Sequence, residues 1–385
     1  MARVSLSWAL ILGLLSGIGP LCTDFYLPAL PEITQQLQAT STQTQLSLTA
    51  ALIGLGLGQL FFGPLSDRIG RLKPLALSLL LFIFSSAMCA LTRDINMLIV
   101  WRFLQGFAGG SVLSRSIARD KYQGTLLTQF FALLMTVNGI APVLSPVLGG
   151  YVITAFDWRI LFWTMAAIGG VLLVMSLAIL RETRPATAAH ASRQRPGQPV
   201  LKNRRFLRFC LIQAFMMAGL FSYIGSSSFV MQSEYGMSAM QFSLLFGLNG
   251  IGLIIAAMIF SRLARRFSAE SLLRGGLTLA VSCAAIMLLF AWLHLPVLAL
   301  VGLFFTVSLM SGISTVAGAE AMSAVDAAQS GTASALMGTL MFVFGGIAAP
   351  LAGLGGETML KMSLAMAICY LLALLLGLSK PRDAR

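Results

Sequence analysis

Apolar residues in this chain run in long blocks, separated by short polar turns rich in Gly, Pro, Ser and Arg. A helix needs about 20 apolar residues to cross ~30 Å of hydrocarbon. Blocks of that kind fall at about 4–27, 45–64, 74–91, 96–118, 126–151, 160–180, 206–231, 242–261, 272–293, 297–319, 332–355 and 359–378. They predict twelve membrane-spanning helices in an all-α integral membrane protein. Composition points the same way, since 57% apolar and 10% charged residues over 385 positions, with mean hydropathy +0.87, leave too little polar surface for a soluble fold.

Charge placement tests this topology independently, because cytoplasmic loops collect Lys and Arg. With both termini inside, 22 of the 26 basic residues fall in cytoplasmic segments and three, Arg93, Arg159 and Lys361, fall outside. The remaining one, Arg102, lies within the fourth block. The net charge of +13 is thereby explained by topology, and no soluble basic domain remains to contact a nucleic acid. The apolar run after Arg3 is followed by Cys22-Thr23-Asp24-Phe25-Tyr26-Leu27-Pro28, without a small-residue cleavage site, so it reads as a first span. The five cysteines lie singly in apolar blocks and read as small core residues. Neither His190 nor His294 has a ligand cluster around it, so no metal and no cofactor is expected.

The blocks divide into halves. Arg181 to Arg205, with Pro185, Pro196, Gly197 and Pro199, is polar and basic and reads as a cytoplasmic linker, giving an N-terminal bundle at 1–180, a linker at 181–205 and a C-terminal bundle at 206–385. Gly139-Ile140-Ala141-Pro142 through Gly149-Gly150 resembles Gly346-Ile347-Ala348-Ala349-Pro350 through Gly355-Gly356, as in an internal repeat. Two pseudo-symmetric six-helix bundles with a substrate cavity where they meet is the expected architecture.

Charges in hydrocarbon are costly and mark ion or substrate paths. Asp24 is such a residue at the far end of the first block, and Arg102 lies inside the fourth. Rise per residue puts Asp24 near the outer boundary, where a wetted helix-end acid is one reading. Arg102 keeps its charge at any relevant pH, and is suited either to perturbing an acid or to tying helix four to carbonyls, with Gln105 one turn on to orient it. After helix two, Gly63-Pro64-Leu65-Ser66-Asp67-Arg68-Ile69-Gly70-Arg71 has glycines for a tight turn and an acid that can accept from Arg68 or Arg71 or face a helix N-terminus. It reads either as a conformational latch or as a solvated turn. Pro142, Pro146, Gly149 and Gly150 on helix five free backbone carbonyls and permit close approach, whether as a static kink or a moving bend. Gln213, Met216, Met217, Phe221, Tyr223 and Phe229 on helix seven and Asn249 on helix eight suit an adaptable apolar cavity, with Tyr26, Asn138 and Gln213 its preferred polar contacts. Glu320 falls at the cytoplasmic mouth of helix ten, as a solvated acid, a gate contact or a second titrating site.

The Gly63–Arg71 stretch resembles the signature loop of the major facilitator superfamily, departing from it at Leu72, where a basic residue is expected and Lys73 comes one place later. Leu98-Ile99-Val100-Trp101-Arg102-Phe103-Leu104-Gln105-Gly106 resembles the fourth-helix motif of proton-driven exporters, and Ala141-Pro142 through Gly149-Gly150 the fifth-helix antiporter motif. With Asp24 through Pro31, Ala118-Arg119-Asp120, Trp158-Arg159, Glu182-Thr183 and Gly331 through Leu336, the chain is similar to the bicyclomycin and chloramphenicol resistance group (Bcr/CflA) of twelve-helix drug:proton antiporters.

That resemblance implies an acid at Asp24 facing the interior of the N-terminal bundle near Arg102. Desolvation and a neighbouring guanidinium act on a carboxylate in opposite senses, so small movements would load and empty it. It also implies drug and proton as the transported species, a monomer surrounded by lipid, and residence in a bacterial inner membrane. A transporter of a specific polar metabolite shares the fold and stands as the alternative. No Gly-x-x-x-x-Gly-Lys-[Ser/Thr] loop is present to hold a nucleotide, and no nucleophile and base pair points to an enzyme.

Overall fold

The computed structural model describes residues 6–109, 111–121, 124–183, 203–325 and 330–379, all of them helices and the turns that join them. The first span is built from α1 (Leu6–Ser16), α2 (Ile18–Asp24), a 3₁₀ turn (Leu27–Ala29) and α3 (Leu30–Gln36). The second to sixth are α4 (Ser41–Ile69), α5 (Leu72–Leu91), the pair α6 (Ile95–Phe107) and α7 (Ser111–Lys121), α8 (Gly124–Ala155) and α9 (Arg159–Ile179). In the second half come α10 (Arg204–Phe229), continued by a π-helical turn (Val230–Glu234), then α11 (Ala239–Leu263), α12 (Ala269–Trp292), α13 (Pro296–Ser323), α14 (Ser330–Ala352) and α15 (Met359–Leu378). Twelve spans result, the fold expected from the hydropathy blocks.

The side chains are sorted for lipid, not water. α5 exposes Leu77, Leu80, Phe84 and Leu91 at helical spacing while burying Ser78, Ser85 and Ser86. α15 likewise exposes Leu360, Leu364, Ile368, Leu371 and Leu375 and buries Ser363 and Gly377. In water such faces would aggregate. In a bilayer, association gains from small residues that let helices approach, and large apolar side chains are free to face lipid tails.

Gly54, Gly58 and Gly106 are the sharpest case of such approach. A Cβ on Gly54 would collide with the carbonyl oxygen of Phe103, one on Gly58 with that of Phe107, and one on Gly106 with that of Ala51. Helices α4 and α6 therefore touch backbone to backbone along two turns.

Two compact units, Met1–Gln194 and Arg195–Arg385, divide the chain. Each has the same internal neighbours. In the first, α4 packs on α6, α5 on α9, and α1 and α2 on α8. In the second, α11 packs on α13, α12 on α15, and α10 on α14. Corresponding helices even start alike: Thr40 with Gln43 opens α4 and Ser238 with Gln241 opens α11, each a reciprocal capping box. The linker expected at 181–205 falls largely on residues 184–202, which lie outside the described residues. Its ends are described, and α10 begins at Arg204, inside the linker as expected from sequence.

Three boundaries differ from the sequence expectation. The first span continues past Pro28 and Pro31 to Gln36, because each proline occupies the first turn of a new helical segment, where its missing N–H costs nothing. Asp24 therefore lies about half-way along Leu10–Gln36, not at the outer boundary. The fourth span is two helices, broken after Phe107 where Gly109 folds back to donate to the Gly106 carbonyl at 2.8 Å. Third, α4 runs on to Ile69 with Gly63 and Pro64 inside it, so the tight turn is confined to Gly70 and Arg71. Within this turn Gly70, at φ +97°, uses the left-handed region that favours glycine.

Candidate functional site

Arg102 is wholly buried at the centre of the N-terminal unit. Its Nη1 donates to Cys22 Sγ at 3.5 Å and to Gln105 Oε1, one turn along α6. The guanidinium lies over the Tyr26 ring, 4.1 Å from its centroid, with Phe162 behind at 5.8 Å. Gln105 is fixed in turn, donating from Nε2 to Ser86 Oγ at 2.7 Å and to Met165 Sδ at 3.3 Å. The Tyr26 hydroxyl meets Ser47 Oγ at 3.3 Å. Gln105, expected to orient Arg102 and also weighed as a substrate contact, accepts from it, and Tyr26, expected as a substrate contact, lies against the same guanidinium.

This nest is incomplete. Nε and Nη2 of Arg102 are buried without an acceptor, and Cys22, Gln105, Tyr26 and Phe162 around it are neutral. An aromatic face returns roughly 2 kcal/mol to a desolvated cation, less than the several kcal/mol that dehydration of an ion costs. That balance leaves the Arg102 charge under-compensated.

Asp24 is the acid at hand in the same unit. It ends α2, two residues from Cys22 and from Tyr26, and is 5% exposed. No ion pair joins it to Arg102 in this arrangement. Gly149 on α8 sets the back wall, since a Cβ there would strike the carbonyl oxygen of Phe25, the peptide next to Asp24. Pro142 and Pro146 lie within a continuous α8, and Gly150 is buried beside Gly149. Asn138 is on the same helix; its side chain lies outside the described residues.

At the basic end of the unit, the turn after α4 is a hub. Arg71 donates from Nε to Asp120 Oδ2 at 2.7 Å and from Nη1 to Ser66 Oγ at 2.7 Å. Glu182, just beyond α9, accepts from the backbone N–H of Arg71 at 2.8 Å and of Leu72 at 3.2 Å, placing its charge at the N-terminus of α5. A Cβ on Gly70 would meet Glu182 Oε2 at 2.7 Å, so a side chain there would displace the Glu182 carboxylate besides straining φ. Arg68 is exposed on the last turn of α4, and the Asp67 side chain lies outside the described residues. Because the Arg71–Asp120 pair is only about a tenth exposed, Asp120→Asn is expected to cost about 1–3 kcal/mol, as for hydrogen bonds to charged groups. Thermal unfolding of the purified protein checks this; an unchanged midpoint would assign the pair no structural weight.

The opposite end of the unit is tied by Gln36, which accepts from Trp158 Nε1 at 2.9 Å and Arg159 Nη1 at 2.8 Å and donates to Asp157 Oδ2 at 3.0 Å. Partial burial pushes the Asp157 carboxyl up, but the Arg159 backbone N–H, Gln36 and the Arg159 charge outweigh it and hold it below the usual carboxylate range.

In the C-terminal unit, Asn249 donates to the Tyr223 hydroxyl at 2.9 Å, and Tyr223 stacks on Phe246. Gln213 donates to the Ser314 carbonyl at 3.3 Å. Asn249 Oδ1 and Gln213 Oε1 are buried without partners, polar capacity held open in an apolar wall. Glu320, near the end of α13, pairs with Arg205 Nη2 at 2.9 Å and is an interfacial tie to the start of α10. Arg208 donates to the carbonyls of Leu376 and Gly377 at 2.9 and 2.7 Å, satisfying the C-terminal end of α15.

Sequence reasoning passed over Cys22 as a small core residue, although it lies two residues before Asp24. It had no signal for Ser86 or Arg208. Glu182 and Asp120 were visible only as parts of family-like motifs.

A family profile described as Major Facilitator Superfamily matches residues 12–350. The chain is 37% identical over 388 residues to an uncharacterized MFS-type transporter, YdgK, of Bacillus subtilis, covering 98% of this chain and 96% of that one. It is 30% identical over 378 residues to a bicyclomycin resistance protein homolog of Haemophilus influenzae, covering 95% and 94%. Among solved structures, the xylose transporter XylE of Escherichia coli, in a partially occluded inward-open conformation, superposes with a TM-score of 0.76 at 12% identity, over 98% of this chain and 99% of that one. That last likeness concerns the fold alone.

Proposed function

The chain belongs to the Major Facilitator Superfamily, and from that premise we propose that it is a proton-coupled antiporter that exports amphipathic or hydrophobic small molecules of the chloramphenicol or bicyclomycin kind by alternating access. The observation that carries the reading is the under-satisfied Arg102 guanidinium, sealed in the same unit as a buried Asp24 that makes no ion pair with it. A proton and a guanidinium compete for one carboxylate. When Asp24 ionises, pairing with Arg102 satisfies both; when it takes a proton, Arg102 falls back on Cys22, Gln105 and Tyr26, as in the arrangement seen here. Each exchange shifts α2 against α6 and α8, and so ties hydrogen-ion binding to helix position.

Relatives named for bicyclomycin resistance support the substrate class, as do the open polar atoms of Gln213 and Asn249 in an apolar wall. The protein is read as a monomer in a bacterial inner membrane with both termini cytoplasmic, in line with its basic loops.

Purified protein in weakly buffered solution is expected to release protons on adding chloramphenicol or ethidium, and cells carrying it to accumulate less of either compound until an uncoupler is added. Inward movement, or export indifferent to the uncoupler, would turn the reading towards a metabolite transporter.

A further inference from the structure

The turn between α14 and α15 in the C-terminal unit carries an acid, Glu357, that none of the features above employs. Both of its carboxyl oxygens are buried and meet no close hydrogen-bond donor, the Ser226 hydroxyl of α10 standing beside them. Its charged neighbours are engaged elsewhere. Lys361, one turn into α15, donates its ammonium to the carbonyls of Leu354, Gly355 and Gly356 at 3.1, 2.7 and 3.0 Å, and makes no ion pair with Glu357. Glu234, at the end of the π-helical turn, accepts through Oε2 from the Met359 N–H at 2.6 Å. From α10 the neighbour is the hydroxyl of Ser226, itself fully buried.

An ionised carboxylate without donors is costly to bury, and holding a proton is the simplest remedy. We propose that Glu357 is a proton-binding site of the C-terminal unit, separate from Asp24: its carboxyl holds a proton while the 353–358 turn is seated against α10, and releases it when the turn lifts into water. Burial pushes the group above the usual carboxylate range, with Ser226 and the Lys361 charge offsetting this only in part. The parts for lifting are present. Gly355 and Gly356 take φ of +74° and +102°, and the facing end of α10 has relaxed into a π-helical turn, a form frequent at functional sites. The site does not depend on the antiport reading; a role for it in coupling does.

The test is infrared difference spectroscopy of the full chain in nanodiscs, following the carbonyl stretch of protonated carboxyl groups as the pH is lowered from about 8 towards the ordinary glutamate pKa of about 4.3. The wild-type band is expected to exceed that of Glu357→Gln by one carboxyl group, whether or not Asp24 is also replaced by Asn. Superimposable spectra across this range would overturn the proposal. If Glu357→Gln does not fold, Glu357→Asp keeps the acid on a shorter arm and is expected to shift the midpoint of that component, and an unshifted midpoint overturns it equally. Stability gives a second readout. The folded protein holds this proton more tightly than an unfolded chain, so the contribution is full below the ordinary glutamate range and is lost as pH rises through the folded value. The wild-type melting midpoint is therefore expected to fall on raising pH more steeply than that of Glu357→Gln. Absence of proton release on adding drug to the wild-type protein, with the Glu357 band intact, would count against the antiport reading and leave this site standing.

Discussion

Asp24→Asn is expected to abolish uphill export while leaving a folded protein that still binds drug. A potential of 100 mV is worth about 2.3 kcal/mol per proton, and 1.36 kcal/mol is a factor of ten. One coupled proton therefore sustains a concentration ratio of roughly 50-fold at that potential. Asparagine fills nearly the same volume as aspartate but neither ionises nor pairs with Arg102 as an anion, so the ratio should collapse towards unity, with only downhill exchange remaining. Drug uptake into inverted vesicles, energised and then uncoupled, measures this directly. An Asp24→Asn variant that still builds an uncoupler-sensitive gradient would remove Asp24 from the scheme and leave Arg102 as a structural tie.

Gly106→Val should have the largest effect on folding. Overpacking usually costs about 1–3 kcal/mol because neighbouring side chains move aside. Here the obstacle is the Ala51 carbonyl of a facing helix, and no side chain is present to yield. The cost should reach or pass the top of that range, seen as lost monodisperse protein and a melting midpoint lowered by several degrees. Gly170→Val is the control, because a Cβ on Gly170 meets nothing within 4 Å. Equal stability of the two variants would mean that α4 and α6 are not held as closely as described.

Hydropathy blocks and the asymmetry of Lys and Arg were enough to read the twelve spans, since the bilayer imposes both on the primary sequence. Arg102 stood out for the same reason, being a lone charge in an apolar run. The depth of Asp24 did not. Pro28 and Pro31 look like helix terminators along the chain, and only the three-dimensional course shows each beginning a fresh segment. The break after Phe107 was hidden because glycines serve equally for close packing, as at Gly106, and for interruption, as at Gly109. Cys22, Ser86 and Glu357 carry no local pattern at all: their importance lies in what is brought to them from distant positions.

Gly149 has a mechanical corollary. Its bare main chain rests on the peptide joining Phe25 to Tyr26, without a side chain between them to act as cushion. Contacts through side chains lose motion to rotamer hops, whereas two abutting backbones pass on displacement almost without slack. Tilting α8 therefore presses on the acid's own stretch of chain at once, and in the proposed scheme the dwell time of a hydrogen ion on Asp24 becomes a gauge of how that one helix leans.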